Sequence, residues 1–595
     1  MFLRRRLAWS FILLEVACGV LHATVRYAVT LADPVRHVLQ LSMEIPAGRD
    51  SRELQLPVWN ALYQVRDFSQ FVTNIHAADF AGHPLALVQL NKSRWKLTGA
   101  KNGARVEYEM FAGDPGPFGA ELNRTHAFFN LAEILLYSDD TRGDAWQVEF
   151  RNVPAGWKVA TSLDQDGSVF QAKNYDELVD APVEIGAFQE QGFKGDCGNY
   201  RVVVDSAAAA TILTKIVPAI EKIVNAATAW MDDCPFRSYT FLYHFSDAPN
   251  NGGMEHAYST AITMPATSIE SDLDSFTAVT AHEFFHLWDV KRIRPQSLEP
   301  VDYTRENYTS ALWFSEGVDS AAADLIRLKA GLLDESGYLS RVAQRVGELQ
   351  ARPAHLTQSV EQSSLDAWLE KYSYYGVPDR SISYYDKGEL LGVLLDLKLR
   401  EATQGKQSLQ TLFRWMNGHY SKQGRFFPDS DGVCDAAEKL SGADFREFFA
   451  DYVSGVHEIP WNTFFAPVGL HVVTEVMTYA DPGFYAVQKF NRPPAIVRVQ
   501  PGGAAEQAGV KPDDEIVSIN GAPAGQDFGQ QIDKVGAGAL LHMRIRRNGE
   551  PLELQWTLGE RRITVYRLED VPAITPQQRA ARRGWLSGSA GKSTR

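Results

Sequence analysis

The sequence predicts a multidomain α+β chain: a β-rich first part, a mostly helical middle and a small β unit near the end. Three observations lead there. Short alternating runs such as Val35-Arg36-His37-Val38-Leu39-Gln40-Leu41 and Arg105-Val106-Glu107-Tyr108-Glu109-Met110, broken by Gly, Pro and Asp, fill residues 24–180. From Ser206 the apolar period lengthens to about 3.6, with Ile212, Leu213, Ile216, Ile220, Ile223 and Val224 on one face. Past Leu470 strand patterns return: Ile496 to Val499 and Ile516 to Ile519 flank a short helical stretch, and Asn520-Gly521 is a strong hairpin signal.

The chain of 595 residues is long enough for three or four domains, and 45% hydrophobic with 22% charged residues is an ordinary globular balance. A net charge of −14 argues against a nucleic-acid binder, because phosphate binding needs concentrated Lys and Arg. The divisions read as 1–23, 24–180, 181–468, 469–560 and 561–595. The first has Arg4-Arg5-Arg6 followed by a mostly apolar run to Leu21 and a small residue, Ala23, which is the pattern of a cleaved export signal leading to a periplasmic or secreted protein. Glu15 interrupts the apolar run, so an uncleaved membrane anchor or a buried first segment of a cytoplasmic chain is the alternative. The last division gathers Arg579, Arg582, Arg583, Lys592 and Arg595 among Gly and Ser, the composition of a flexible, solvated tail. With Cys18 removed with the signal, Cys197, Cys234 and Cys434 allow at most one disulfide, and three reduced core thiols fit equally well.

In the middle of the chain a strand at Phe241 to Phe245 is followed by the turn-rich 247–253 and by Met254-Glu255-His256. A helix beginning near Phe276 carries Ala281-His282-Glu283-Phe284-Phe285-His286, and its pattern runs to Pro295 with Lys291-Arg292-Ile293-Arg294 in or near the last turn. Further helices are predicted over 308–332, 365–372, 387–399 and 445–453.

Histidines four apart on a helix put two imidazoles on one face, one turn apart, where they can grip one metal ion. Zinc suits imidazole nitrogen, and two ligands from one rigid helix leave positions for a third residue and a water. Glu283, directly after His282, is the candidate general base for that water. Glu316, on the next predicted helix beside Gly317, is the candidate third ligand, since glycine permits close backbone approach.

His282-Glu283-x-x-His286-x-Trp288-x-x-Lys291-Arg292-Ile293-Arg294-Pro295, then Glu316-Gly317, then Ser383-Tyr384-Tyr385-Asp386-Lys387-Gly388, closely resemble the M61 family of glycyl aminopeptidase-like metallopeptidases. The resemblance spans almost the whole chain past the leader. It implies a thermolysin-like (gluzincin) catalytic domain over 181–468, one zinc per chain held by His282, His286 and Glu316, and removal of N-terminal residues, often Gly or Ala, from peptides. It further implies Glu283 as base and Tyr385 as the phenol that hydrogen-bonds the oxyanion, with Tyr384 in reserve. Gly252-Gly253-Met254-Glu255-His256 resembles the exopeptidase loop of related zinc aminopeptidases, so Gly253, Met254 and Glu255 are implied to bind substrate, Glu255 as counter-charge to its free amine.

Three positions depart from the family pattern: Asp289 in place of a more frequent Asn, Ser315 in place of a bulky residue or Thr, and Ala321-Ala322 in place of a Tyr-Tyr pair. If the two alanines border the pocket, larger first residues than Gly or Ala are expected to fit. Pro501 to Val510 and Asp514 to Gly521 resemble a PDZ domain, which receives a peptide C-terminus at a sheet edge, with Gly483-Phe484 as the candidate carboxylate loop. The rival functions are a non-catalytic scaffold working through the PDZ-like unit and a zinc endopeptidase.

Overall fold

The computed structural model describes residues 24–59, 66–245, 252–265, 269, 273–487, 493–525 and 527–588. The leader expected at 1–23 lies outside them, as does most of the turn-rich 247–253. Among the described residues no helix is long and apolar enough to cross a membrane.

The alternating runs of the first unit are strands. Val38–Ile45 buries Leu39, Leu41, Met43 and Ile45, and its register partner Ala104–Phe111 buries Val106, Tyr108 and Met110. They lie in a seven-stranded sheet in which Thr24–Asp33 runs parallel to Ala145–Arg151. A four-stranded sheet joins Ser51–Gln55 to Arg94–Thr98, and another pairs His126–Asn130 with Pro182–Gly186. One aliphatic and aromatic core fills the space among them.

The second unit begins with a five-stranded sheet in the order Gln189–Lys194, Asn199–Asp205, Ser238–Phe245, Ser259–Met264, Gly252–Glu255. The last of these, the Glu255 strand, is antiparallel to its neighbour and forms the edge. Helix Ala209–Met231 buries the whole predicted apolar face. Cys197 and Cys234 form a disulfide joining the approach to strand Asn199–Asp205 to the segment after that helix, and Cys434 is free and buried.

The helices differ from expectation in informative ways. The histidine helix spans Asp274–Phe285 and stops nine residues before the predicted end, with His286 as its C-cap. The His286 N–H still donates to the His282 carbonyl, so the one-turn spacing survives. Lys291 and Arg294 are instead drawn into ion pairs with Asp180 and Glu299, outside any helix. The Glu316 helix is two segments, a π-helical turn Trp313–Val318 and an α-helix Asp319–Ala330. The helix expected at 365–372 lies earlier, at Val360–Leu365, and continues as a 3-10 turn. The tyrosine helix is longer than its apolar run, Tyr384–Thr403, because Ser383 caps it by accepting from the Asp386 N–H.

As far as Gly588, the C-terminal segment is not the flexible tail its composition predicts. Gly559–Asp570 pairs with Leu470–Asp481 as a two-stranded antiparallel ribbon over twelve register pairs, from Leu470 with Asp570 to Asp481 with Gly559. Helix Pro576–Leu586 then packs back on the catalytic unit, where Trp585 is fully buried against Tyr338 and Phe465. Within it, Arg582 donates to the Val468 and Gly469 carbonyls and pairs with Asp570, and the Gly584 carbonyl accepts from Arg400. Composition concealed this because a single tryptophan and carbonyl acceptors on distant residues anchor the segment. The PDZ-like unit is therefore an insertion at the tip of the ribbon, with its own core around Ile496, Ile516, Leu541 and Met543.

Two deletions separate insertion from terminal domain. Ending the chain after Val468 removes Trp585 and is expected to destabilise the catalytic unit by about 3–5 kcal/mol, the range for deleting a buried tryptophan. Excising 482–558 and closing the facing pair Asp481 and Gly559 with a short turn is expected to leave its thermal transition nearly unchanged. Scanning calorimetry of both proteins beside the full chain decides between them.

Candidate metal centre and active-site cleft

The segment bearing Glu316 approaches the tyrosine helix closely, and glycines allow it. A Cβ built on Gly317 would lie 2.5 Å from the Gly388 Cα, and one on Gly388 would lie 2.3 Å from the Trp313 carbonyl oxygen. The π-helical turn therefore rests backbone to backbone on the tyrosine helix, so Glu316, Tyr384 and Tyr385 share one cleft. π-Helical turns of this kind are frequent at functional sites, where the extra residue re-aims a side chain. A second brace sets the histidine helix: the fully buried Arg327 donates to Asp324 at 2.7 Å and pairs with Asp274 at that helix's start.

The result is a compact triangle of donors. His282 Nε2 and His286 Nε2 are 3.0 Å apart, and each is 3.3 Å from Glu316 Oε2. Ligands about 2.0–2.1 Å from a tetrahedral zinc stand about 3.3–3.4 Å from one another, so these edges fit one ion with a position left over. The outer nitrogens are committed elsewhere. His286 Nδ1 donates to the Asp289 carbonyl at 2.7 Å, and His282 Nδ1 is 2.9 Å from Asp319 Oδ2 and 3.2 Å from Ser320 Oγ. Such partners orient imidazoles with Nε2 toward a metal.

Burial works against a charged His282, but Asp319 and Glu316 hold its pKa up to about 10. Burial likewise opposes an ionised Glu316, yet His286 and His282 hold it down to about 2. The chemistry is that of a cation site, since three ionisable groups within 4.8 Å of one another are satisfied best by one positive centre.

Glu283 lies beside this triangle and packs on the edge strand. A Cβ on Gly253 would meet its Oε1 at 2.1 Å, so only glycine leaves room for the carboxylate. Burial pushes the Glu283 carboxyl up to about 8, with His282 and His286 opposing the shift. Glu255, from the same strand, groups with Glu283 and His286 within 4.8 Å. Glu255 Oε1 and Glu283 Oε2 are both buried without a protein partner. Tyr385 is 39% exposed, its ring 6.1 Å from that of His282.

One cavity of about 240 Å³ collects His282, Glu283, His286, Glu316, Tyr385 and Glu255, with Gly253 and Tyr384 also on its wall. Met254, by contrast, is 3% exposed and does not line it; strand alternation turns its side chain to the opposite face from Gly253 and Glu255. Sequence reasoning missed Asp319, although its place three residues after Glu316 on a helix was a usable sign. It also missed Arg66, Phe118 and Glu370 on the cavity wall, the first two from the N-terminal unit, for which no local pattern exists.

The three departures fall outside the cavity. Asp289 and Ser315 are fully buried, and neither the Asp289 carboxylate nor the Ser315 hydroxyl has a protein partner. Ala321 and Ala322 are 1% and 0% exposed, and a Cβ on Gly392 of the tyrosine helix would stand 2.9 Å from that of Ala321. The pair belongs to helix packing, which removes the basis for expecting larger first residues.

Comparison with known proteins agrees with this architecture. Residues 26–187 match the Peptidase M61 N-terminal domain, 275–391 the M61 glycyl aminopeptidase and 496–547 a PDZ domain. An aminopeptidase N family protein from Idiomarina loihiensis is similar over 94% of this chain and 100% of its own, with 25% identity and a TM-score of 0.77. An M1 zinc metallopeptidase from Deinococcus radiodurans aligns over 74% of this chain and 95% of its own at 15% identity and a TM-score of 0.46, a likeness too slight to inform the chemistry. No curated protein sequence matches the chain.

The tight helix contact generates a stability prediction. Gly388→Ala and Ala321→Tyr each force apart the segments bearing Glu316 and Tyr385, and overpacking of this kind is expected to cost about 1–3 kcal/mol or more. Urea unfolding of the full chain, followed by tryptophan fluorescence, measures it.

Proposed function

Since the chain carries both M61 peptidase domains followed by a PDZ domain, and is a peptide hydrolase of the metallopeptidase kind, we propose that it is a zinc aminopeptidase removing N-terminal residues from peptides. The observation that carries the reading is the pairing, in one cleft, of a three-donor triangle with two buried carboxylate oxygens that lack partners. His282, His286 and Glu316 hold one metal ion. Zinc held there supplies the Lewis acidity that polarises a carbonyl and lowers the pKa of water to about 7.

The remaining chemistry belongs to the protein. Glu283 takes a proton from the attacking water at its free Oε2 and returns it to the departing amine nitrogen. The Tyr385 hydroxyl donates to the carbonyl oxygen as negative charge builds there, an interaction typically worth about 3 kcal/mol. Glu255 accepts from the substrate's α-ammonium, which places the first peptide bond, and not an internal one, beside the triangle. Gly253 keeps the edge strand against the Glu283 carboxylate. Met254 serves through backbone position alone, its side chain facing the core.

The natural substrates on this reading are peptides with a free N-terminus. The PDZ unit receives peptide C-termini along strand Phe484–Val487, the outer strand of its sheet, which follows Gly483 in a left-handed turn of φ +73°. Export to an oxidising compartment is supported by the Cys197–Cys234 disulfide, since such bonds persist outside the cytosol.

Glu283→Gln is expected to keep the zinc of the cleft while turnover nearly disappears, because the ligands remain and the base does not. His286→Ala is expected to empty the cleft of metal as well. Near-normal activity in Glu283→Gln would refute the mechanism.

Glu255→Gln is expected to lower kcat/KM on a free-amine reporter amide by about 1.5–3 kcal/mol, the worth of a charge-assisted hydrogen bond. The same substitution should barely affect an N-acetylated peptide, itself a poor substrate. Efficient internal cleavage of the acetylated peptide by the native enzyme would make it an endopeptidase instead.

A further inference from the structure

The N-terminal and catalytic units meet at a second cluster of imidazoles and carboxylates, apart from the cleft. His126 opens the strand His126–Asn130, and Glu184 leans toward it from the antiparallel neighbour Pro182–Gly186. Gly186, the register partner of His126, leaves the space they share: a Cβ there would lie 3.2 Å from that of His126 and 3.4 Å from Glu184 Oε1. Asp205 and His244 come from the other unit, as register partners near the ends of the parallel strands Asn199–Asp205 and Ser238–Phe245.

The atoms converge. His126 Nδ1 is 3.2 Å from both Glu184 Oε1 and Asp205 Oδ2, and His244 Nε2 is 2.6 Å from Glu184 Oε2. One ligand atom from each of the four residues lies within 4.8 Å of all the others. The remaining nitrogen of His126 is held by Glu121, at 3.3 Å. Glu184, His244 and His126 are 1%, 7% and 8% exposed, while a cavity of about 510 Å³ reaches Glu121, His126, Asp205 and His244.

This arrangement repeats the logic of the catalytic triangle. With the His126 proton on Nε2, where Glu121 accepts it, Nδ1 is left as a ligand atom beside Glu184 Oε1 and Asp205 Oδ2, and His244 Nε2, which donates to Glu184 Oε2, becomes one when its proton moves to Nδ1. Three carboxylates and two neutral imidazoles carry negative charge that must be met inside the protein. Two imidazole nitrogens and two carboxylate oxygens form a donor set for zinc or a similar first-row ion, and the outer carboxylate on His126 is the usual companion of a metal-bound histidine.

We infer that His126, Glu184, Asp205 and His244 form a second site for zinc or another divalent first-row ion, with Glu121 orienting His126, and that the ion ties the N-terminal β unit to the catalytic sheet. Its role is structural, since the cluster lies outside the cleft lined by His282 and Glu283.

The test uses the full chain with His282→Ala and His286→Ala, which silences the cleft. After chelation, incubation with Zn²⁺ and desalting, elemental analysis is expected to find about one zinc per chain. Adding His126→Ala and His244→Ala should abolish that zinc, with circular dichroism confirming the fold. In a background with the cleft intact, the same two substitutions should remove one of two ions while cleavage of a free-amine reporter persists. A folded cleft-silenced protein that retains no zinc overturns the inference, leaving the reading of the cleft untouched. Because alanine variants can unfold, a zinc-soaked crystal of the native chain gives a second readout: an anomalous peak between His126 and His244 is expected, and a peak at the cleft alone overturns the site.

Discussion

Ionisable groups in a dry cleft are not held together by mutual attraction, because taking each from water costs several kcal/mol, and pairing often fails to return it. Glu316 stays against His282 and His286 because the backbones carrying it and Tyr385 touch at Gly317 and Gly388, and because Arg327 ties the Glu316 helix to the start of the histidine helix. Packing supplies the position, and the position creates a demand for positive charge. The same constraint governs the edge strand, where Gly253 leaves room for the Glu283 carboxylate and nothing larger.

Much of this was legible in the chain. The His-x-x-x-His spacing, the Glu-Gly step and the Tyr-Tyr pair each name a residue the cleft contains, because local spacing is conserved through the fold of a single helix. Helix ends were less legible: the helix stops at Phe285, and beyond it Lys291 pairs with Asp180, a partner far upstream that no window of sequence contains. Met254 was read by its neighbourhood, whereas strand alternation decides its direction. The Ala321-Ala322 pair was ambiguous between pocket and core until the facing Gly392 was known.

Contributions from remote chain were wholly illegible. Arg66 and Phe118 reach the cleft from the N-terminal unit, so that unit walls the site and does more than precede it. Likewise His126 and His244 had no partner at metal-binding spacing in sequence, and they converge only because two separate sheets abut. Sites assembled across units are invisible to motif reasoning and visible to charge accounting, since buried carboxylates must find compensation somewhere.

The ribbon between Leu470–Asp481 and Gly559–Asp570 has a consequence for how such a molecule varies among relatives. An insert whose two ends leave through one pair of facing residues is topologically silent: the host chain folds past it as past a long hairpin loop. Lineages can lengthen, exchange or discard the inserted module without rearranging a strand or helix of the catalytic unit, whereas the helix Pro576–Leu586, later in sequence, has no such freedom because Trp585 is core. Order along the chain and order of dispensability are therefore reversed here, and a relative lacking the module should still be recognisable by the tryptophan that closes its core.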